Sequence, residues 1–588
     1  MARSVTDRTA PSALWAEGRP TTMVDVLRHW AEQRPTKQAL GFITDGTTEI
    51  ESFTYAELDR RARAIAVDLA SRFAPGQRAL LLFPPTLEYV AAFFGCLYAG
   101  MLAVPAYPPS PRTVGRLMAI IDDAAPAAIL APSSIADMVR SGIAAEANLP
   151  SIPVIETDLI TEGEDGWEEP PLDASTIAFL QYTSGSVGRP KGVMVTHGSL
   201  LHNERMIERA FGHDQDLVGV SWLPVYHDMG LIGQVLQPIF LGVHGYLMSP
   251  IEFLKRPITW LKAVSTFRAT TSGGPNFGYE RCLLKVTPED LATLDLSSWK
   301  VAYNGAEPLR SDTFERFAAT FAACGFNPEA LYPCYGLAEA TLFVTGKPPQ
   351  EAPLLRTFDV DALEREHRGV PASGGRQLVS AGVPWLDQRV AIVEPTSLVE
   401  QPEGQIGEIW VSGGNLAAGY WNRPDDTAYT FDAHLADSGD GPFLRTGDLG
   451  FVLDGELYVT GRIKDLIIIR GRNFYPQDIE RIMDRADPQV RPGCGAAFGV
   501  EVDGEERLVL VQEVEPNGEP MDTERVLAAV RRAVASQHDL RAHAVVLIPR
   551  GEIPKTSSGK LQRARTKELY LAGELPALAT SVVPGRDA

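Results

Sequence analysis

Residues 177–196 constrain the fold of this chain more than any other segment, because they place a small polar loop between two apolar runs. The loop reads QYTSGSVGRPKG over residues 181–192, and the β-branched run VMVT that follows is typical of a strand. Small residues let backbone N–H groups approach an anion closely, while Thr183, Ser184 and Ser186 add donors and Lys191 adds a positive charge. The segment predicts a polyphosphate loop; taken alone, a flexible Ser/Gly turn remains the alternative.

Two features separate this loop from the common nucleotide-binding loops. A Walker A loop has glycine directly before its lysine, where this chain has Pro190. P-loops and Rossmann loops also open a helix, whereas a strand is predicted after Lys191. We therefore expect a phosphate loop of another kind, held between two strands.

The rest of the chain predicts several domains, since 588 residues are too many for one core. Thr54 and Glu57 form a capping box that predicts a helix to about Phe73, and buried strands are expected at 78–83, 128–130 and 152–155. This alternation is typical of a doubly wound α/β sheet. From about residue 380, short strands at 390–393, 407–411 and 457–459 predict a β-rich subdomain.

Charge indicates a boundary near residue 460. Residues 1–461 hold 35 basic and 56 acidic side chains, so they carry the whole net charge of −21, whereas residues 462–588 hold 19 of each. We predict a large N-terminal domain, 1–461, of doubly wound α/β and β-rich subdomains, and a small mobile α+β C-terminal domain, 462–588. Helices are expected near 476–486 and 523–537 in the latter. The negative net charge argues against nucleic acid as a partner.

Cysteines and hydropathy predict a cytoplasmic protein without a membrane span. The five cysteines are scattered, and no pair has metal-ligand spacing. The N-terminus is polar and has no signal-peptide pattern. The uncharged stretch at 89–105 is short for a membrane span and predicts a buried helix followed by a strand.

Five further motifs follow the loop: NGAEP at 304–308, YGLAE at 335–339, TGD at 446–448, GRIKD at 461–465 and PKTSSGK at 554–560. One carboxylate near phosphates, such as Glu339, suffices for Mg²⁺, and Asp448 in a turn suits a ribose diol. Each residue alone has an ordinary alternative: Glu339 as a solvated helix acid, Asp448 as a turn former, Tyr335 as packing and Lys560 as an exposed lysine.

Together and in this order, the six motifs resemble the adenylate-forming superfamily of acyl-CoA synthetases, luciferases and peptide-synthetase adenylation domains, over residues 20–570. The resemblance implies that 183–191 cover the β- and γ-phosphates of ATP, that Glu339 binds magnesium (Mg²⁺) and that Lys560 reaches the carboxylate and α-phosphate. It places Lys464 and Asp465 at a hinge. The implied ATP- and AMP-binding residues are Thr183, Ser184, Gly185, Ser186, Gly188, Lys191, Gly305, Ala306, Glu307, Tyr335, Gly336, Leu337, Ala338, Asp448 and Arg462.

Within the superfamily, SWLPVYHDMGLIG at 221–233 and IIIRGRNFYPQDIE at 467–480 resemble the fatty acyl-AMP ligases. This implies that a fatty acid is activated as its adenylate and passed to the phosphopantetheine arm of an acyl carrier protein, from a polyketide or peptide synthetase. A CoA-using long-chain acyl-CoA synthetase is the nearest alternative. An amino- or aryl-acid-activating enzyme and a non-enzymatic nucleotide sensor are the others.

Three finer expectations accompany the branch. The polar stretch at about 348–377 matches the insertion that is proposed to restrain the C-terminal domain in this branch, and a solvated surface loop is the alternative. His227 is predicted beside the carboxylate or at the start of an acyl tunnel, or else as a core histidine. Candidates for an apolar acyl tunnel are Trp222, Met229, Ile232 and Phe277. An acidic carrier protein would suit the basic residues of the C-terminal domain, namely Arg531, Arg532, Arg563, Arg565 and Lys567.

Overall fold

A computed structural model of the chain describes residues 15, 19–45, 48, 50–109, 114–144, 152–183, 190–469, 472–502, 505–538, 540–556 and 559–583. The predicted loop residues Ser184, Gly185, Ser186 and Gly188 lie outside this set.

Two largely parallel sheets form the base of the N-terminal part. Within the described residues, the larger has nine strands, in the spatial order Val383–Pro384, Phe343–Gly346, Leu331–Gly336, Val301–Asn304, Thr271–Gly274, Val218–Ser221, His244–Met248, Gln38–Ile43 and Ile50–Thr54. The other has six, in the order Val154–Glu156, Ala128–Ala131, Arg78–Leu82, Leu102–Ala106, Ile177–Tyr182 and Gly192–Thr196.

Helices cover both faces of the six-stranded sheet, as alternate residues of its strands show. In the strand Arg78–Leu82, Ala79 and Leu81 belong to one apolar core, whereas Leu80 and Leu82 belong to another. Successive side chains of a strand point to opposite faces, so both faces are buried. The predicted α/β architecture is confirmed, and the capping box at Thr54 opens the helix Tyr55–Ala70 with both of its reciprocal hydrogen bonds.

The strands on either side of the polyphosphate loop pair with each other. Ile177–Tyr182 and Gly192–Thr196 run antiparallel, with Tyr182 opposite Gly192. The backbone N–H of Thr183 donates to the carbonyl of Lys191 over 3.2 Å. The loop therefore connects two adjacent strands of one sheet, as its flanking sequence predicted.

A third, antiparallel sheet follows, with the strands Arg389–Val393, Gly407–Ser412, Leu444–Leu453 and Glu456–Arg462. These bounds agree with the β-rich pattern of the sequence. The polar stretch before this sheet contains a hairpin, Leu355–Phe358 with Arg376–Val379, and a π-helical turn, Ala362–Glu366. Phe358 and Leu363 are fully buried against Phe451 and Tyr458, so the stretch is packed and is not a solvated loop.

The C-terminal domain has its own core beneath a four-stranded sheet. The strands are Val490–Val502, Glu505–Val514, Ala544–Pro549 and Ala579–Val582, and a small hairpin, Ile467–Ile469 with Arg472–Phe474, precedes them. The predicted helices are present as Pro476–Met483 and Thr523–His538, and Arg563–Ala572 follows.

Fourteen α-helices and a π-helix that joins two of them lie in the described part of the N-terminal region. The stretch predicted as a buried helix and strand is confirmed as Leu87–Tyr98 and Leu102–Ala106, and no helix of the described residues has the length and apolar character to cross a membrane. The segments, including one π-helix at Ile232–Leu236, are Met23–Gln33, Tyr55–Ala70, Leu87–Tyr98, Val114–Ala124, Ser133–Ala144, His197–Phe211, Asp228–Leu231, Ile232–Leu236, Gln237–Leu241, Pro250–Lys255, Ile258–Thr266, Asn276–Lys285, Pro288–Leu291, Ser311–Phe321 and Pro424–Phe431.

Candidate active site

A cavity of about 1900 Å³ lies between the N-terminal sheets and the C-terminal domain. Strands of both large sheets, the third sheet and a loop of the C-terminal domain contribute to its wall. Every predicted site residue that the structure describes lines this one cavity. These residues are Thr183, Lys191, His227, Gly305, Ala306, Glu307, Tyr335, Gly336, Leu337, Ala338, Glu339, Asp448, Arg462, Lys464, Asp465 and Lys560.

Lys191 places a positive charge in the wall of the cavity. Its Nζ lies 2.9 Å from Oδ2 of Asp426 and 4.7 Å from the ring centroid of Tyr420. Asp426 is exposed, so this ion pair is weak and an incoming polyanion can displace the carboxylate. The ammonium is thus already oriented toward the cavity before a ligand arrives.

Glu339 lies on the other side of the same tyrosine. The hydroxyl of Tyr420 donates to Oε1 of Glu339 over 2.8 Å. Burial raises the pKa of Glu339, and the bond from Tyr420 opposes that shift. Tyr420 therefore positions both Lys191 and Glu339. Sequence reasoning missed it, although GYWNRP at 419–424 is an aromatic, turn-forming segment between predicted elements.

Asp448 is the centre of a second cluster. Its Oδ1 accepts from Nε of Arg462 over 2.7 Å, and its Oδ2 accepts from the hydroxyl of Tyr335 over 2.7 Å. The phenol bond fixes the plane of the Tyr335 ring. Each carboxylate oxygen has a second lone pair, so Asp448 can still accept from a ligand's hydroxyl groups.

The wall next to this cluster is kept flat by small residues. A Cβ on Gly305 would lie 2.9 Å from Sγ of Cys334, and Ala306 has a positive φ of 68°. A larger side chain at 305 would push the strand that carries Cys334 away. Burial raises the pKa of the Cys334 thiol to about 12. The geometry leaves room for a planar ring beside Tyr335.

Lys560 lines the cavity and is held by hydrogen bonds to Thr556 of the C-terminal domain. The N–H of Thr556 donates to the carbonyl of Lys560 over 2.7 Å, and the N–H of Lys560 donates to the hydroxyl of Thr556 over 3.0 Å. Burial lowers the pKa of Lys560, while the carboxylates of Asp228, Glu307 and Asp448 oppose this shift and the Arg462 charge adds to it. The Lys560 charge is thus placed among acids of the N-terminal domain.

His227 lines the cavity but is electrically neutral at pH 7. Burial, together with the nearby charges of Lys560 and Arg116, lowers its pKa to about 3. Its ring packs against Tyr226 at a centroid distance of 5.1 Å. It can exchange hydrogen bonds with a ligand, but it supplies no charge.

The two predicted hinge residues lie at the edge of the cavity. Lys464 is exposed, and Oδ2 of Asp465 lies 3.2 Å from Nη1 of Arg563. Arg563 also binds both carboxylate oxygens of Glu480, at 2.6 and 2.7 Å. Asp465, which follows the last strand of the third sheet, is therefore bound to the body of the C-terminal domain through Arg563.

Two of the four predicted tunnel residues do not line the cavity. Met229 and Phe277 do, but Trp222 and Ile232 are buried in the core, where Trp222 stacks on Phe253 at 3.8 Å. The apolar arm of the cavity is lined by residues that the sequence analysis did not single out: Ile207, Phe211, Gly233, Leu342 and Phe343. Ile207 and Phe211 are one turn apart on a helix, a spacing equally typical of ordinary core.

A buried ionic cluster joins the polar stretch at 348–377 to the C-terminal domain; we call it the clasp. It consists of Glu364 and Arg376 from the stretch and Arg472, Asp478 and His538 from the C-terminal domain. Glu364 is fully buried and accepts from Nη2 of Arg472 over 2.7 Å, while Arg376 lies 2.8 Å from Asp478. Burial alone would raise the pKa of Glu364, but His538, Arg472 and Arg376 outweigh it and the pKa is lowered. Sequence reasoning missed these pairs.

Two protein-family profiles match different parts of this chain. A profile of the AMP-binding enzyme family matches residues 27–421, and one described as the AMP domain of Disco-interacting protein 2-like proteins matches 464–580. The chain is 47% identical over 567 residues to the medium-chain-fatty-acid–acyl-carrier-protein ligase JamA of Moorena producens (strain JHB), covering 94% of this chain and 96% of the relative.

The chain is also similar to a second ligase and to a solved structure. The long-chain-fatty-acid–AMP ligase FadD32 of Mycolicibacterium smegmatis is 37% identical over 602 residues, with 95% of each chain covered. A crystal structure of a Legionella pneumophila fatty acyl-adenylate ligase in complex with acyl adenylate and pyrophosphate superimposes with a TM-score of 0.73 and 40% identity. It covers 96% of this chain and 98% of that one.

Proposed function

Because the chain belongs to the AMP-binding enzyme family, and within it to the fatty acyl-AMP ligases, we propose that it converts a fatty acid and ATP into acyl-AMP and pyrophosphate, then transfers the acyl group to the phosphopantetheine thiol of an acyl carrier protein. One observation carries the proposal. Lys191, Glu339, Asp448 and Lys560 come from four distant parts of the chain and surround a single cavity that also has an apolar arm.

The first step brings two anions together. The fatty carboxylate attacks the α-phosphorus, a new P–O bond forms, and the bond to the β-phosphate oxygen breaks to release pyrophosphate. A fatty carboxylate is already ionised at pH 7, so the step needs no general base, and neutral His227 supplies none. Catalysis then rests on positioning and on cancelling charge, which suits the cations Lys191 and Lys560.

The nucleoside of ATP fits the Asp448 side of the cavity. We assign the ribose hydroxyls to Asp448 and Arg462 and the adenine to the flat wall of Gly305, Ala306 and Tyr335. The fatty chain would occupy the apolar arm whose wall includes Phe211 and Phe343. In the second step the carrier thiol attacks the acyl carbon, the anhydride bond breaks, and AMP leaves.

Magnesium fits the site as an ion shared with the phosphates. The described residues contain no group of three or more side chains that could hold a metal by themselves. Mg²⁺ commonly needs only one or two carboxylates besides substrate phosphates, and Glu339 is such a carboxylate on the cavity wall. We assign Glu339 to this role; the ion would neutralise phosphate charge.

A substrate panel tests the proposal. Fatty acids of graded length are incubated with MgATP and either no acceptor, CoA, or a holo-acyl carrier protein of a polyketide or peptide synthetase. We expect acyl-AMP in every arm and thioester chiefly on the carrier protein, identified by mass. Thioester formed mainly on CoA would contradict the carrier-protein step, and absence of fatty acid-dependent pyrophosphate exchange would contradict the whole proposal.

Replacing Tyr420 by phenylalanine should raise the KM for MgATP about tenfold, because a hydrogen bond to a charged group contributes roughly 1.5–3 kcal/mol. The ring beneath Lys191 stays, and only the bond to Glu339 is lost. Steady-state kinetics and calorimetry of MgATP binding measure the effect. Tyr429→Phe is the matched control, since it removes the hydroxyl of an exposed ring. An unchanged KM and affinity in Tyr420→Phe would refute this role.

The alkaline limit of adenylation should fall below the pH at which a free lysine titrates. Lys560 acts as a cation, its ordinary pKa is 10.5, and burial lowers the pKa, so raising the pH removes the charge earlier. The pH profile of pyrophosphate exchange measures this limit. In Lys560→Arg the limit should move to higher pH, whatever the absolute rate, because guanidinium stays charged. The same alkaline limit in both proteins would rule Lys560 out as its source.

A further inference from the structure

The outer mouth of the cavity has an unusual surface formed by two neighbouring helices, Pro250–Lys255 and Asn276–Lys285. Leu254 and Leu284 line the mouth and have 44% and 64% of their surface exposed. Isolated exposed leucines are ordinary, but two at the rim of one opening form an apolar patch. The helices are neighbours because Phe253 of one and Phe277 of the other both pack on Trp222. The ring-centroid distances are 3.8 Å for Phe253 and 5.6 Å for Phe277.

Positive charge surrounds these leucines. Arg281 and Lys285 lie four residues apart on the second helix, line the same mouth, and have no ion-pair partner among the described residues. Arg491 and Arg550 face them from the C-terminal domain, each paired with a glutamate. Burial and the nearby charges of these two arginines lower the pKa of Arg281. The whole chain has a net charge of −21, so this cluster of basic side chains at the rim is opposite in sign to the protein as a whole.

The second helix connects the rim to the reaction centre. Phe277 lies in the first turn of this helix, and its backbone N–H donates a hydrogen bond to Oε1 of Glu307. Its ring would lie 3.2 Å from a Cβ placed on Gly559. Gly559 directly precedes Lys560. Leu284 is seven residues further along, which is about 10 Å on an α-helix. A flexible arm entering beside Leu284 could therefore follow the helix to the adenylate.

We propose that Leu254, Arg281, Leu284 and Lys285, which we call the mouth patch, form the docking surface for an acidic acyl carrier protein. The inference rests on the proposed function. An acidic partner is repelled by most of this chain, and a local positive field with an apolar centre both attracts it and fixes its orientation. The leucines would contact an apolar face of the carrier, and the two cations would contact its acidic side chains.

The C-terminal domain offers less than its sequence indicated. Arg563 is committed to Glu480 and Asp465, and Arg565 lies 3.0 Å from Glu568. Arg531 donates to the carbonyl oxygens of Ala542 and Ser581. Arg281 and Lys285 of the mouth patch have no ion-pair partner among the described residues. Their charges are therefore more accessible to a carrier protein than those of these three arginines.

The test compares two half-reactions in the full-length enzyme. In Arg281→Glu/Lys285→Glu, transfer to a purified acidic holo-acyl carrier protein should fall at least tenfold in kcat/KM, and its salt dependence should flatten, since steering contributes factors of 10 or more. Fatty acid-dependent pyrophosphate exchange should stay within about twofold, which also shows that the variant folds. Transfer to free pantetheine, which carries the thiol without a protein, should be unchanged.

Matched charge reversals elsewhere provide the control. Lys300→Glu and Arg532→Glu change exposed residues outside the mouth and should leave transfer unaffected. Leu284→Asp is a second variant with the expected loss of at least tenfold, should the double variant misfold. Undiminished carrier transfer in these mouth-patch variants, or an equal loss with free pantetheine, overturns the docking surface. A wild-type enzyme that makes acyl-AMP but acylates no carrier protein overturns the proposed function instead, and the docking surface with it.

Discussion

Lys560→Ala should lower fatty acid-dependent pyrophosphate exchange by roughly a hundredfold or more, the usual effect of removing one preorganised group that stabilises transition-state charge. The turn at Thr556 holds the lysine in the cavity, facing Asp228 and Glu307, where an attacking carboxylate and the α-phosphate would meet. The charge matters most as the two anions approach, so nucleotide affinity should change far less than rate.

Isotope exchange between pyrophosphate and ATP measures this effect, and calorimetry measures ATP binding. Lys567→Ala is the control: it removes a lysine of the same domain that does not line the cavity. If Lys560→Ala exchanged pyrophosphate at the wild-type rate, the assigned role would be wrong. A variant that lost rate and ATP affinity equally would point to a binding role only.

Glu364→Gln should weaken the attachment of the C-terminal domain by about 3 kcal/mol or more, because it leaves buried arginine charge without its counter-charge. Arg472 and Arg376 both face this carboxylate, and neither could recover full solvation in place. The domain should then dissociate from the polar stretch more often. Hydrogen exchange in the helix Thr523–His538 should accelerate, and limited proteolysis after Arg462 should become faster.

Arg356→Gln is the control for the clasp. It breaks an ion pair of the same polar stretch, Arg356 with Asp454, but Asp454 is 67% exposed and such pairs contribute at most about 1 kcal/mol. If the stretch restrains the domain, as its resemblance to the branch implies, Glu364→Gln should also transfer more acyl group to free CoA. If Glu364→Gln and Arg356→Gln showed the same hydrogen exchange and the same transfer to CoA, the clasp would not restrain the C-terminal domain.

The parts of the site that were predictable are those encoded by local sequence. A strand, a small polar loop and a second strand lie within twenty residues, so the position of Lys191 followed from the segment itself. Glu339, Asp448 and Lys560 each have an ordinary alternative, and only their order along the chain indicated a shared site. The doubly wound α/β architecture was predictable because alternating helices and strands have different spacings of apolar residues along the sequence.

The remaining parts depend on contacts between distant segments. Tyr420 reaches Glu339 across 81 positions, and Glu364 reaches Arg472 across 108, and neither pair has a local pattern. Trp222 and Phe277 are both apolar and both looked suited to a tunnel, yet one is core and the other is wall. That distinction depends on where each side chain points in the folded protein, which hydropathy alone does not specify.

Cys334 has a consequence for the fate of the intermediate. It is a thiol in the wall of a chamber that would hold a mixed anhydride, and thiolates attack such anhydrides readily. Burial raises the pKa of this thiol to about 12, so very little thiolate is present at pH 7. The buried thiol is therefore a poor nucleophile towards the anhydride, whereas a carrier thiol with an ordinary pKa attacks it more readily.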